Sequence, residues 1–211
     1  MDAIIRPARP GDKEKVAELV YLAGSSHLKK PLFDVIFDSE RPETLRYLAQ
    51  LFTAQSPSWF HFSNCFVAEV DGNVAATSCG YGEAENGDAQ LGAALVETTG
   101  WTGEMFGALV ERIAPLTNVK ATPPDDVWIV ENVGVFPEFR GNGLVQSLFG
   151  AVLDKGRTKG FKRAQITFVI GNSEAEKAYE KAGFRFHDER TDASFEQLFA
   201  APGMRTFVRE L

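Results

Sequence analysis

The first third of the chain consists of short apolar-periodic segments separated by polar connections. The stretch AIIRPA, at residues 3–8, predicts a short edge strand. Apolar residues then recur at three- and four-residue intervals over 10–24, which predicts an amphipathic helix. Similar spacing over 32–38 and 42–52 predicts two more helices. The chain therefore begins with a strand followed by three helices.

A period-two pattern replaces the helical one in the next segment. Residues 64–82 contain two strand-like runs around Asp71-Gly72-Asn73, a tight hairpin turn. Strand and helix patterns then alternate: VWIVENVGV, a helix to about Lys159, RAQITFVI, a helix that ends at Gly183, FRFHDE and, after a poorly defined linker, MRTFVREL. Because the hairpin interrupts the alternation, the order predicts a mixed α/β sheet rather than a regular doubly wound fold.

Residues 84–126 have the least legible pattern. Helical spacing is present at Leu91–Val96 and again at 107–116. A connection of this length inside a compact domain is usually functional or disordered, and this one is too apolar for disorder. We therefore predict a helical insertion, residues 84–126, before the fourth strand of a single domain that covers residues 1–211.

Charge and composition exclude some classes of partner. The net charge is −7, from 29 acidic and 22 basic residues, which argues against nucleic acid and is compatible with a cationic partner such as an amine. No segment approaches the roughly 20 apolar residues of a membrane span. The N-terminal segment has charges and proline where a secretory signal would need an apolar core. We expect a cytoplasmic protein.

The chain has two cysteines, Cys65 and Cys79. Two are too few for a disulfide framework, and they lack the partner spacing of a zinc site. We interpret them as small buried side chains on neighbouring strands.

A loop with two glycines, Arg140–Val145, joins the fourth predicted strand to the next helix. Exposed backbone N–H groups and the helix dipole at such a position favour an anion such as a phosphate. A mononucleotide P-loop would require Lys and a hydroxyl residue after Gly143, where Leu144 and Val145 stand. A dinucleotide fingerprint would require a third small residue where Gln146 stands. Neither pattern fits.

A third pattern fits the loop. Val133–Leu144, V-x-V-x-P-x-x-R-G-x-G-L, resembles the acyl-coenzyme A loop of the GNAT superfamily of N-acetyltransferases. Asn172–Phe184 resembles that family's Asn-x-x-Ala-x-x-x-Tyr-x-x-x-Gly-Phe segment. The predicted element order also matches, so the resemblance covers most of the chain except about residues 84–126. It implies an α/β, GNAT-like acyl-CoA N-acyltransferase fold.

The resemblance implies acetyl-CoA (coenzyme A) as co-substrate and no metal. In the family the pyrophosphate lies on the loop amides and the pantetheine follows the strand before the loop. The corresponding positions here are Val133, Val135, Arg140, Gly141, Asn142, Gly143, Leu144 and Val145, with Asn172 placed to hold the pantetheine. One position departs from the pattern, because Val145 stands where the family usually has Gly or Ala. This implies a modest penalty on affinity or a shifted pose.

Two residues are candidates for acid–base catalysis. Tyr179 matches the family's tyrosine near the thiol, a general acid; its alternative role is to pack the core. Strand alternation predicts that residues 129, 131, 133 and 135 share one face, which places Glu131 in line with the pantetheine. Because a carboxylate in an apolar strand is costly to bury, we interpret Glu131 as the general base. The alternative is an ion pair with an Arg or Lys of the insertion.

We therefore expect an N-acetyltransferase that transfers the acetyl group of acetyl-CoA to a small-molecule or peptide amine by direct attack. The partner classes nucleic acid and membrane are not expected, and a homodimer is possible. The insertion is predicted to cover the acceptor side of the cleft, with Trp101 and Phe106 as candidate lining residues. The alternative is a catalytically silent acyl-CoA-binding or sensing module of the same fold.

Overall fold

A computed structural model describes residues 2–124 and 126–211 of the chain. Met1 belongs to the predicted domain and Asp125 to the predicted insertion, and both lie outside the described residues. The strands are β1 (Ala3–Pro7), β2 (Cys65–Val70), β3 (Asn73–Gly82), β4 (Val127–Val135), β5 (Arg163–Val169), β6 (Arg185–Thr191) and β7 (Gly203–Glu210). They form one mixed sheet in the order β1-β2-β3-β4-β5-β7-β6. Only β4 and β5 pair in parallel among the described strands.

Helices cover both faces of the sheet. Their bounds are α1 (Lys13–Ser25), α2 (Leu32–Phe37), α3 (Arg41–Phe52), α4 (Glu83–Asn86), α5 (Asp88–Thr99), α6 (Gly103–Val119), α7 (Leu144–Thr158), α8 (Ser173–Lys181) and α9 (Ala193–Phe199). The mixed α/β fold with helices before the fourth strand is confirmed. In the described part of the chain, no helix is both long and apolar enough to cross a membrane.

Two apolar clusters hold the helices to the sheet. On the first face, α1, α2, α3, α5 and α6 surround a cluster that contains Val20, Leu51 and Leu95. On the second face, α7 and α8 pack on a cluster around Trp128 and Phe149. We call these the α1 face and the α7 face. Helices α1, α3 and α7 are held by their apolar stripes, as their sequence periodicity predicts.

The C-terminal half of β4 stays paired with β3 but separates from β5. β4 and β5 pair as far as Val130 and Ile166, after which no further pairs join them. β4 remains paired with β3 up to Val135. Helix α1 supports this half of β4 from the α1 face, since a Cβ on Gly134 would lie 2.5 Å from the Leu19 carbonyl oxygen. The two central strands thus separate into a V-shaped opening.

The insertion is part of the core. It contains three helices, where one or two were predicted, and its side chains Ala94, Leu95 and Leu109 belong to the α1-face cluster. Trp101 is buried there between Phe37 and Phe106, at ring-centroid distances of 6.3 Å and 5.9 Å. Deleting these helices would therefore expose the core.

Cys65 and Cys79 are buried on neighbouring strands, as predicted, but they also form a disulfide. The two residues face each other directly across β2 and β3, with Cα atoms 3.9 Å apart. The number of cysteines did not indicate this bond. Two cysteines are too few for a disulfide framework, but a single disulfide between adjacent strands needs no further bridges.

Helix α9 forms within the segment that the sequence analysis left as a poorly defined linker. The Asp192 side chain accepts hydrogen bonds from the backbone N–H groups of Ser194 and Phe195, which caps the helix. Phe195 and Phe199 are buried against Val119, at the end of α6. The helix therefore joins the end of the insertion to the sheet.

Trp128 is the side chain that positions α7. Its indole N–H donates to the Val152 carbonyl at 3.0 Å, and the ring is fully buried. A Cβ on Gly156 of α7 would lie 2.7 Å from Trp128 Cγ. The absence of a side chain at this glycine therefore permits the close approach of α7 to β4.

Replacing Gly156 by Ala should destabilise the protein by about 1–3 kcal/mol, because the added methyl overpacks a fully buried ring. The free energy of unfolding is measured by urea titration. Gly150→Ala on the same helix is the matched control, since no heavy atom lies within 4 Å of its added Cβ. We expect that control to gain about 0.5–1 kcal/mol from the lower backbone entropy cost. Equal effects of the two substitutions would contradict this account of Trp128.

Candidate functional site

A single cavity of about 1300 Å³ extends through the opening between β4 and β5. At one end it reaches the loop before α7, and at the other it enters a chamber between α1, α2, α5 and α6. Every sequence-predicted site residue borders it: Glu131, Val133, Val135, Arg140, Gly141, Asn142, Gly143, Leu144, Val145, Asn172 and Tyr179. Of the two insertion residues expected to line the chamber, Phe106 does so, whereas the prediction for Trp101 is wrong because its ring packs in the core.

The loop before α7 has the geometry of an anion cradle. Gly141 and Gly143 have φ values of 78° and 74°, a region that favours glycine. The Asn142 amide holds the loop by donating to the carbonyls of Phe139 and Arg140 at 3.0 and 3.1 Å. No side chain caps the first turn of α7, so its backbone N–H groups are available to a ligand.

Val145 has contacts on two sides. It borders the cavity, and it also packs on the α7-face cluster beneath the helix. Gln146, the next residue, donates from its side-chain amide to the Ala178 carbonyl at 3.1 Å, which ties α7 to α8. The valine is therefore partly a packing residue, a role that the motif comparison could not show.

A β-bulge divides the predicted face of β4. Asn132 has a φ of 55°, and the pairing shifts so that Glu131 lies opposite Cys79 while Gly134 lies opposite Thr77. The prediction that residues 129, 131, 133 and 135 share one face is therefore wrong. Glu131 and Gly134 point to the α1 face. Val133 and Val135 pack against the clusters of the α7 face.

The bulge places Glu131 in the chamber, away from the loop. Burial raises the pKa of Glu131, and the nearby carboxylates of Asp88 and Glu83 raise it further, while Lys120 opposes them. The Tyr81 hydroxyl lies near Glu131 but is not placed to form a hydrogen bond with it. It has no hydrogen-bond partner among the described residues. A carboxyl group with a raised pKa is a better match to a proton-accepting role near neutral pH than an ordinary glutamate.

Lys120 follows α6 and brings a positive charge into this acidic group. Its ammonium lies 3.6 Å from Asp88 Oδ1 and 5.9 Å from the centre of the Trp59 ring. Burial lowers the pKa of Lys120, but Glu131, Asp88 and Glu83 together outweigh that effect and leave the pKa raised. The lysine therefore keeps its charge at neutral pH. The alternative role of Glu131, an ion pair with an Arg or Lys of the insertion, is therefore met in part. Lys120 is a lysine of the insertion and interacts with Glu131, but its close ion pair is with Asp88.

Tyr179 lies on α8 at the opposite wall of the cleft. Its ring packs on Phe149 and Phe168, with centroids 5.8 and 5.3 Å away, and burial raises its pKa. The phenol thus remains protonated around neutral pH. Both interpretations made from the sequence describe this residue in part, since it packs the core and also borders the cavity.

A chain of hydrogen bonds crosses the cleft between the α1–α2 loop and the β5–α8 turn. Asn172 caps α8 by accepting from Ala175 N–H and donates to the Ser26 hydroxyl at 2.9 Å. His27 lies 3.0 Å from both that hydroxyl, through Nδ1, and the Ile170 carbonyl, through Nε2. Because a carbonyl only accepts, Nε2 carries a proton and donates it to Ile170.

Several residues that border the cavity carry no sequence signal for a site. They include Glu83, Asp88, Lys120, Asn132, Ser26 and His27. Asn132 is buried at its amide nitrogen, which has no partner in the described residues. Within residues 2–124 and 126–211, no three His, Cys, Asp or Glu side chains are grouped so as to hold a metal ion.

Solved structures share this architecture. An N-acetyltransferase from Staphylococcus aureus Mu50 superposes with a TM-score of 0.72 at 20% identity, over 98% of this chain and 100% of that one. The Drosophila melanogaster polyamine N-acetyltransferase, which forms N-acetylagmatine, gives a TM-score of 0.56 at 16% identity, over 100% of both chains. An aminoglycoside acetyltransferase in complex with coenzyme A gives 0.56 at 14% identity, over 99% and 95%. At these identities the likeness establishes the fold.

A sequence comparison with curated proteins gives no match. The family model for the GNAT acetyltransferases, by contrast, matches residues 32–184, from α2 through α8 to the end of the Gly-Phe motif. This span holds the loop, the split strands and Glu131. The chain belongs to the GNAT family of acetyltransferases.

Proposed function

We propose that this protein transfers the acetyl group of acetyl-CoA to an amine. The observation that carries the proposal is the continuous cavity, which joins the anion cradle before α7 to a chamber that contains Glu131. Two substrates that enter from opposite ends would meet at the point where β4 and β5 separate. The structural neighbours include enzymes that act on polyamines and aminoglycosides, which supports an amine as acceptor.

The residues of the cleft fit coenzyme A. The uncapped amides of the first turn of α7 and the left-handed glycines would hold the pyrophosphate, since added Cβ atoms at Gly141 and Gly143 would project into open space. The pantetheine would lie along the unpaired edge of β4 at Val133 and Val135. Asn172 retains one amide hydrogen for it, because the other is used by Ser26.

Acetyl-CoA supplies the activated acetyl group and a thiolate leaving group. Glu131 takes a proton from the acceptor ammonium, so that the free amine forms the C–N bond as the C–S bond breaks. Backbone N–H groups near Val133–Val135 stabilise the charge that develops on the carbonyl oxygen. Tyr179, protonated at neutral pH, returns a proton to the departing sulfur. The nitrogen thus gives up two protons, one to Glu131 before the attack and one after the C–N bond has formed. The second replaces, through solvent, the proton that Tyr179 gave to the sulfur, and the first passes from Glu131 to solvent.

A second candidate is a catalytically silent acyl-CoA-binding module. The packing of Val145 into the α7-face cluster favours it, because a fixed branched side chain at the loop restricts how closely a pyrophosphate approaches. Release of coenzyme A in the presence of a panel of amines separates the two functions. Tight binding without turnover of any amine would favour the silent module.

Replacing Gly143 by Val should weaken coenzyme A binding by about tenfold or more, because the side chain enters the cradle. Isothermal titration calorimetry gives the Kd. Gly160→Val is the matched control: Gly160 follows the other end of α7, has a φ of 92° and also has open space at its Cβ. Both variants carry a backbone strain of about 1–2 kcal/mol, so both should lose similar thermal stability. An equal coenzyme A affinity in the two folded variants would refute the cradle.

Replacing Glu131 by Gln should lower kcat/KM by about 10²- to 10⁴-fold, the usual contribution of a positioned base. In the wild type, kcat/KM should rise with pH through the pKa of Glu131, and this limb should lie above the ordinary glutamate value of 4.5. The groups that face Glu131 are Tyr81, Glu83, Asp88 and Lys120. Glu196→Gln, at an exposed position on α9, is the control. A Glu131→Gln variant with wild-type turnover would exclude this base.

Replacing Tyr179 by Phe should lower kcat by about 10²-fold while the Kd for coenzyme A stays unchanged, because only a proton transfer is removed. Single-turnover kinetics and calorimetry measure the two quantities separately. Tyr47→Phe, which removes a phenol outside the cavity, should change neither of them. Unaltered kcat in Tyr179→Phe would leave the residue with its packing role alone.

A further inference from the structure

The chamber beyond Glu131 is mostly apolar. Side chains from α2, α5 and α6 form its wall: Phe33, Ile36, Leu91, Leu95, Leu109 and Ile113. Such a wall gains free energy by excluding water from the apolar part of a ligand, and it offers no partner for a second charge. An acceptor that fills this space therefore carries a hydrocarbon group behind its amine.

Charged groups line the chamber around Lys120, and one of them, Asp88, is also exposed to solvent. The carboxylates of Glu83, Asp88 and Glu131 all border the cavity, as does Trp59. Three carboxylates beside an aromatic ring would normally attract a cation. Here the Lys120 ammonium already takes that place, 3.6 Å from Asp88 Oδ1 and 5.9 Å from the centre of the Trp59 ring.

The position of this ammonium restricts the charge that an acceptor can carry. One ammonium is tolerated, because Glu131 and its acidic neighbours exceed Lys120 in charge and the acceptor loses its positive charge during the reaction. A second ammonium that stays inside the chamber would lie against Lys120 or against the apolar wall, and both placements are unfavourable. A carboxylate on the acceptor would be repelled by the three carboxylates of the chamber. Lys120, the cation beside them, is already paired with Asp88.

We propose that the acceptor is a primary amine with a single charge on an aliphatic or arylalkyl body, and that Lys120 is the residue that excludes dicationic acceptors. This inference rests on the proposed function and narrows it to a substrate class. Lys120 acts by occupying the cation position near Glu131, so that selectivity arises from repulsion as well as from attraction.

Three acceptors of one chain length test this proposal: hexylamine, 1,6-diaminohexane and 6-aminohexanoate. Each is assayed with acetyl-CoA by release of the coenzyme A thiol, and each is also titrated calorimetrically into the protein saturated with coenzyme A. The wild type should favour hexylamine over the other two by about tenfold or more in kcat/KM and in affinity. The binding arm needs no turnover, so it remains informative if the chain is catalytically silent.

The variant Lys120→Met removes the charge and keeps the length of the side chain. It should improve 1,6-diaminohexane relative to hexylamine by about tenfold or more, because the three carboxylates lose their internal cation. The acidic limb of kcat/KM should also move to higher pH, because the variant removes a charge that lowers the pKa of Glu131. The groups that still face Glu131 are then Tyr81, which lowers this pKa, and Asp88 and Glu83, which raise it. Lys120→Arg should retain the wild-type order. Lys162→Met, at an exposed position outside the cavity, should change nothing.

The outcomes separate the two levels of inference. An unchanged ratio of diamine to monoamine in Lys120→Met, or a wild-type preference for 6-aminohexanoate, would overturn the role of Lys120. Absence of binding by all three amines would overturn the substrate class. If the amines bind in the expected order but none is acetylated, the proposed transferase function fails while the selectivity assigned to Lys120 stands.

Discussion

The separation of β4 from β5 after Val130 and Ile166 is the constraint on which the rest of the site depends. Parallel strands that stayed paired would close the sheet and leave no passage between its two faces. Pairing with β3 and the close contact of Gly134 with Leu19 of α1 keep the free half of β4 in place. The opening is therefore rigid on one side and unpaired on the other. This arrangement lets β4 present backbone groups to a ligand without losing its own position.

Motifs with short-range physical causes could be predicted from the sequence. The loop around Gly143 and the helix that contains Tyr179 carry turn and spacing signals within a few residues, and the structure places both at the cleft. The faces on which the β4 side chains lie could not be predicted from the sequence. They depend on the bulge at Asn132, and the pairing with β3 determines where that bulge forms. Helix α9 had a local signal that was overlooked, namely a capping Asp192 with Phe195 and Phe199 four residues apart.

The charged neighbours of Glu131 could not be predicted from the sequence for a different reason. Glu83 begins α4, Asp88 begins α5 and Lys120 follows α6, and only the packed core brings their side chains to one strand. A sequence pattern reports the neighbours of a residue along the chain, whereas a pKa depends on neighbours in space. The sequence could thus identify Glu131 as a carboxylate whose burial in an apolar strand costs free energy. It could not show that Lys120 lies near enough to reduce that cost.

The insertion contributes to the core and to the cavity with the same helices, and this links stability to the charge of the chamber. One side of α5 buries Ala94 and Leu95, while Asp88 at its start borders the chamber. Helix α6 buries Leu109 and ends just before Lys120. Substitutions at Asp88 or Lys120, at the helix ends, would therefore change the charge of the chamber, whereas removal of a helix would expose the α1-face cluster. Within this fold, the interior of the insertion sets stability and its ends set the charge of the chamber.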